Sequence, residues 1–146
     1  MTPDPILSAL IDAHAHHTHL GTARMDACHA LDARLRADIP AAAWLRADPG
    51  PFGQPQASAH TVGTRCPVTV QANVKADLSG VRWSAWVDVD RERCVASCGE
   101  FASPRDALDA LRAEVQAAHR RARRPDVRSD LWHIAAALSR WLAGAP

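Results

Sequence analysis

The sequence of 146 residues contains no tyrosine, a single lysine (Lys75), a single asparagine (Asn73) and only three glutamates. The other 16 basic residues are arginines, and the remaining acidic residues are aspartates. Such usage is typical of a GC-rich genome, so the preference for arginine says little about function. A formal net charge of +1 with 47% hydrophobic residues excludes a highly charged disordered chain and predicts a folded protein.

Long hydrophobic runs are also missing. No segment approaches the roughly 20 apolar residues of a membrane-spanning helix. The N-terminus lacks the basic region and apolar core of a signal peptide, so we expect a cytoplasmic protein. The cysteines form no C-x-x-C pair, and we expect free thiols at Cys28, Cys66, Cys94 and Cys98. The length excludes a (β/α)₈ barrel, which needs about 250 residues.

Apolar periodicity divides the chain into three segments of one compact domain. Residues 1–38 show helical spacing interrupted at Gly21, which predicts an N-terminal helical hairpin. Residues 39–67 are rich in proline and glycine and predict a linker or long loop. Residues 68–146 begin with strict alternation, which predicts a three-stranded antiparallel meander, followed by two helices. The predicted class is α+β in the order ααβββαα, with a helix packed on the meander.

Capping residues and prolines predict where the two C-terminal helices begin. Ser103, followed by Pro104, predicts an N-cap and a first helical turn. Pro125 is expected to end this helix, and Asp126 or Ser129 is expected to cap the next one. That C-terminal helix is amphipathic, with a broad apolar face that consists of Leu131, Trp132, Ile134, Ala135, Leu138, Trp141 and Leu142.

One face of the predicted meander is polar but carries a tryptophan. The alternation places Gln71, Asn73, Lys75, Arg82 and Trp86 on this face. A tryptophan beside basic and amide side chains can anchor a protein partner or stack a base. We therefore predict a partner-binding surface formed by these five residues together with Trp141.

This surface favours a small non-enzymatic binding or regulatory protein of bacterial or phage type, whose partner is a protein. Alternatively, Trp86 is buried in the interface of a homodimer formed with a second copy of the chain. No nucleophile context, glycine-rich phosphate loop or carboxylate pair indicates catalysis, and we predict no catalytic residue.

A second hypothesis rests on four histidines within residues 14–19. On a helix, His14 and His17 are neighbours at i and i+3. Together with Cys28 they could hold zinc. The chain would then be a metal-binding protein or a metal-dependent hydrolase, and zinc is the one cofactor that we consider.

The run Leu10–His16 resembles the opening metal motif of amidohydrolases. This resemblance implies that His14 and His16 are ligands of a divalent metal whose bound water is the nucleophile. The barrel of those enzymes does not fit in this length, and on a helix the two side chains point about 200° apart. The His14–His17 pair is therefore the metal hypothesis that we retain.

A third hypothesis is a nucleic-acid-binding or antitoxin-like regulator. Arg120, Arg121, Arg123 and Arg124 form a basic run that could contact phosphates. The alternative is a solvated helix end that complements the helix dipole. The segment Val81–Val115 resembles the sheet-plus-helix portion of HicB-type antitoxins, which implies that the chain neutralises a partner protein.

Overall fold

The computed structural model describes residues 4–15, 20–51, 53–90 and 92–144, which form four helices and a five-stranded antiparallel sheet. In chain order the elements are α1 (Pro5–Ala15), α2 (Leu20–Asp38), β1 (Asp48–Pro49), β2 (Pro55–His60), β3 (Pro67–Val74), β4 (Val81–Val89), β5 (Glu92–Phe101), α3 (Pro104–Arg121) and α4 (Pro125–Leu142). The predicted α+β class is confirmed. Within these ranges, no helix is long and apolar enough to cross a bilayer.

The helical hairpin predicted for the N-terminal segment is present as α1 and α2. Asp4 caps α1, because its Oδ1 accepts a hydrogen bond from the Ile6 N–H at 3.1 Å. Gly21, which was expected to interrupt the helical pattern, lies in the first turn of α2. Further along α2, the guanidinium of Arg34 lies over the Trp83 ring, 5.5 Å from its centroid. This contact joins α2 to the sheet.

The sheet is a meander in which each strand pairs with the next one along the chain. The three predicted strands correspond to β3, β4 and β5. Val70 lies opposite Ala85 and Ala72 opposite Trp83, and all four side chains are buried. The turn after β3 closes with the Lys75 N–H donating to the Gly80 carbonyl at 2.9 Å.

The segment 39–67 contains two further strands, β1 and β2, where the sequence predicted a linker or loop. Strand β2 places Ala57 and Ala59 in the core. Alanine and proline are poor strand formers, so the short alternation in this segment is a weak signal. Trp44 anchors the preceding stretch, since its buried Nε1–H donates to the Ile39 carbonyl at 3.0 Å.

The helices pack on one face of the sheet. This face presents the alternating apolar side chains of β2, β3 and β4, as expected for an antiparallel sheet with one packed face. Buried side chains of all four helices join it in one core, among them Ile6, Leu31, Leu111, Val115, Leu131 and Leu138.

Ser103 is the N-cap of α3, as predicted, and its Oγ accepts a hydrogen bond from the Asp106 N–H at 3.1 Å. Pro125, however, begins α4 instead of ending α3. Proline suits the first position of a helix because its φ is preset and it lacks the N–H that this position leaves unpaired. The predicted caps Asp126 and Ser129 therefore lie inside α4.

Candidate partner-binding surface

The second face of the sheet carries no helix in the described part of the chain. We call this surface the outer sheet face, defined by Thr69, Gln71, Asn73, Arg82, Ser84, Trp86, Asp88 and Arg93. The strand register aligns these residues, with Asn73 opposite Arg82 and Gln71 opposite Ser84. Gln71, Asn73 and Ser84 are half-buried, and Arg82 is exposed. Four of the five sheet residues singled out from the sequence, including Trp86, therefore lie together.

Trp86 is half-buried at the centre of this arrangement and lies opposite Thr69 on β3. The guanidinium carbon of Arg93 lies 5.3 Å from the Trp86 ring centroid, which is cation–π geometry. The Arg93 Nε also lies 3.5 Å from the Asp88 Oδ1. Arg93 was missed at the sequence level, although it lies directly opposite Asp88 once β4 and β5 are paired.

Beside this pair, on β3, the side chain of Thr69 is shielded from water. Thr69 is 7% exposed, and its Oγ1 lies 2.8 Å from the Oγ of Ser58 on β2. A hydrogen-bonded pair of hydroxyl groups on β2 and β3 thus lies next to Trp86 on the same face of the sheet. Lys75, the fifth predicted residue, lies just past β3, where its side chain runs along Gly80.

Trp141, the sixth residue predicted for the surface, belongs to the core instead. It is 5% exposed, and its ring centroid lies 6.2 Å from that of Trp44. The exposed tryptophan of α4 is Trp132, at 57%. The helical wheel accounts for this exposure, because Trp132 is rotated by about 100° from Leu131, which faces the core.

The predicted metal ligands do not converge among the described residues. His14 is exposed on α1, whereas Cys28 is 1% exposed in the core, and His17 lies outside the described residues. Burial, helped by the nearby Asp48 and Asp32, raises the pKa of the Cys28 thiol to about 11. A protonated thiol is a poor metal ligand. In the described ranges, no three histidine, cysteine or acidic side chains form a metal-binding group.

The basic run at the end of α3 is divided between two environments. Arg124 is held by Asp90 at 2.5 Å and by Asp126 at 2.7 Å. Arg120 instead lines a groove between α3 and α4, together with Trp132. Arg121 and Arg123 are exposed. The four guanidinium groups therefore do not share one phosphate-facing edge.

The described residues thus define an α+β protein in which helices pack on one face of the sheet and no described helix packs on the other. Comparisons with protein-family models, curated protein sequences and solved structures found no match. Function is therefore inferred from the geometry of the chain itself.

Proposed function

We propose that the chain is a small non-enzymatic protein-binding module whose outer sheet face contacts an acidic surface of a partner protein. The observation that carries this proposal is the half-buried Trp86 beneath Arg93 on a sheet face without a covering helix. Tryptophan and arginine are the residue types that most often dominate the binding energy of protein interfaces. Because paired strands hold both residues, binding would order few additional groups.

Charge on this face supports an acidic partner. Arg82 is exposed on β4, on the same face as Trp86 and four residues before it, and Arg93 adds a second guanidinium. Asp88 is the single carboxylate in the outer sheet face, and it already pairs with Arg93. A carboxylate of the partner would therefore find Arg82 available, while Gln71 and Asn73 donate and accept hydrogen bonds nearby. Such charge complementarity raises the association rate and the specificity for the partner.

Affinity isolation from the native host, followed by reconstitution with the purified partner, tests this proposal. We expect a protein that the wild type retains and that the variants Trp86→Ala and Arg82→Glu lose. Arg121→Glu is the matched control, because Arg121 is exposed on α3 and lies outside the outer sheet face. Equal retention by wild type and Trp86→Ala would overturn the proposal, and so would a chain that forms a homodimer through Trp86 and retains no other protein.

The proposal includes a cytoplasmic location. Among the described residues, Cys28 and Cys66 are free thiols, which supports a reducing compartment. Localisation of the native chain with an antibody tests this part independently of partner binding. A secreted or surface-exposed chain would contradict it.

A second candidate is single-stranded nucleic acid in the groove between α3 and α4. The observation that favours it is the exposed Trp132 beside Arg120 and His119, since bases stack on aromatic rings next to cations. Fluorescence anisotropy with a labelled oligonucleotide tests it. Binding that weakens steeply with salt and is lost in Arg120→Gln would support it, whereas salt-independent anisotropy would contradict it.

A further inference from the structure

A small pocket of about 130 Å³ lies where α1, α2, the start of β2 and the end of β3 meet. Polar side chains from separate parts of the chain line it, namely His14, Arg24, Gln54 and Asn73. Leu10 and Val74 form part of an apolar wall. His14 and Asn73 were candidates for two unrelated sites in the sequence, and the fold brings them to one pocket.

Arg24 is the central group of this pocket. It is half-buried, and it makes no hydrogen bond or ion pair with another residue of the described ranges. Its guanidinium lies against the backbone of Gly53, where an added Cβ would come within 2.9 Å of the Arg24 Cζ. Gly53 also has a φ of +86°, which glycine adopts without strain. The absence of a Cβ at this position therefore leaves room for the guanidinium beside the pocket, and no described residue occupies its N–H donors.

The donor set is suited to an oxyanion. The polar residues of the lining are Arg24, Gln54, Asn73 and His14, and the described lining residues include no carboxylate. The planar guanidinium fork matches a carboxylate with two parallel hydrogen bonds. The space corresponds to a few water molecules at roughly 30 Å³ each, which limits the ligand to a few heavy atoms.

We propose that this pocket binds a small carboxylate, with its oxygens on Arg24 and its short apolar group against Leu10 and Val74. The affinity is expected in the millimolar range, because few groups contact so small a ligand. This site shares Asn73 with the outer sheet face, but Arg24, Gln54 and Leu10 lie outside that face, so the proposal does not depend on the protein partner.

An NMR titration of the ¹⁵N-labelled full chain with sodium propionate, at constant ionic strength, tests the site. We expect saturable shifts of the Gly53, Gln54 and Asn73 amide signals. Arg24→Gln should raise Kd by at least about tenfold. Arg121→Gln is the control, since it removes an exposed guanidinium outside the pocket and should leave Kd unchanged.

Two further variants keep the test decisive if Arg24→Gln disturbs folding. Arg24→Lys retains the charge but loses the fork, so its Kd should lie between those of wild type and Arg24→Gln. Gln54→Ala, in the loop before β2, should weaken binding severalfold. Shifts that do not saturate by about 100 mM propionate, or a Kd that Arg24→Gln leaves unchanged, would overturn the site. Tighter binding of inorganic phosphate than of propionate would overturn the ligand class.

Discussion

The guanidinium of Arg93 lies over the indole ring of Trp86, with its central carbon 5.3 Å from the ring centroid. The two residues come from adjacent strands, β5 and β4, and the Arg93 Nε lies 3.5 Å from the Asp88 Oδ1. Arg93 itself is 57% exposed. The pair therefore forms a cationic and aromatic patch on the outer sheet face, which is the feature that a partner would recognise.

Arg93→Ala tests whether this pair serves binding more than stability. Because Arg93 and Asp88 are exposed, we expect the free energy of unfolding in urea to fall by less than about 1 kcal/mol. Partner affinity should fall about fivefold, because the indole loses its cation and its fixed orientation. Arg123→Ala, which removes an exposed guanidinium from the loop between α3 and α4, is the control. A variant that unfolds, with binding lost only for that reason, would show that the contact is structural.

The two tryptophans of α4 should respond in opposite ways to truncation. Trp141 is buried against Trp44, so Trp141→Ala should cost about 3–5 kcal/mol of unfolding free energy. Trp132 is exposed, and Trp132→Ala should change that free energy by less than about 1 kcal/mol. Urea denaturation followed by circular dichroism measures both. Equal losses for the two variants would contradict the assignment of Trp141 to the core.

The buried thiol of Cys28 should make stability sensitive to alkaline pH. Its pKa is raised in the folded chain from its ordinary value of 9.0 to about 11. The unfolded thiol therefore ionises first, so this contribution is fully present below pH 9 and is lost as pH rises towards about 11. We expect the unfolding free energy of the wild type to decline faster over this interval than that of Cys28→Ala. Parallel pH profiles of the two proteins would contradict the burial of the thiol.

The helix caps give a test with a matched pair of serines. Ser103 caps α3 through its Oγ, and Ser103→Ala should cost about 1 kcal/mol. Ser129 was a candidate cap in the sequence but lies exposed inside α4, so Ser129→Ala should stay within about 0.5 kcal/mol. Thermal unfolding followed by circular dichroism distinguishes the two. A larger loss at Ser129 would mean that α4 begins later than Pro125.

Periodicity accounts for the elements that the sequence predicted well. The alternation of valine and alanine with polar residues in β3 and β4 continues through two full strands, so the buried face around Trp83 follows from it. Strands β1 and β2 were not predicted because proline and alanine, at positions such as Pro55 and Ala57, are weak strand signals. Strand β2 pairs with β3, β1 pairs with β2, and both contact α2, and none of these contacts is visible in a short window of sequence.

The candidate sites also contain residues that periodicity predicts and residues that only tertiary contacts bring together. Period-two spacing was enough to group Gln71, Asn73, Arg82 and Trp86 on one face of the sheet. The contact of Arg93 with Trp86 needs the register of β4 and β5, and the position of Arg24 needs the close approach of Gly53. Whether the outer sheet face binds a protein remains a prediction.

Calorimetric titration of the isolated partner against wild type, Trp86→Ala and Trp132→Ala tests the central claim most directly. If Trp86 is the centre of the interface, Trp86→Ala should raise Kd by at least about 30-fold, corresponding to about 2 kcal/mol. Trp132→Ala, which removes an exposed tryptophan from another surface, should leave Kd within about twofold of the wild type. A Kd for Trp86→Ala equal to that of the wild type would contradict the assignment of the outer sheet face as the binding surface.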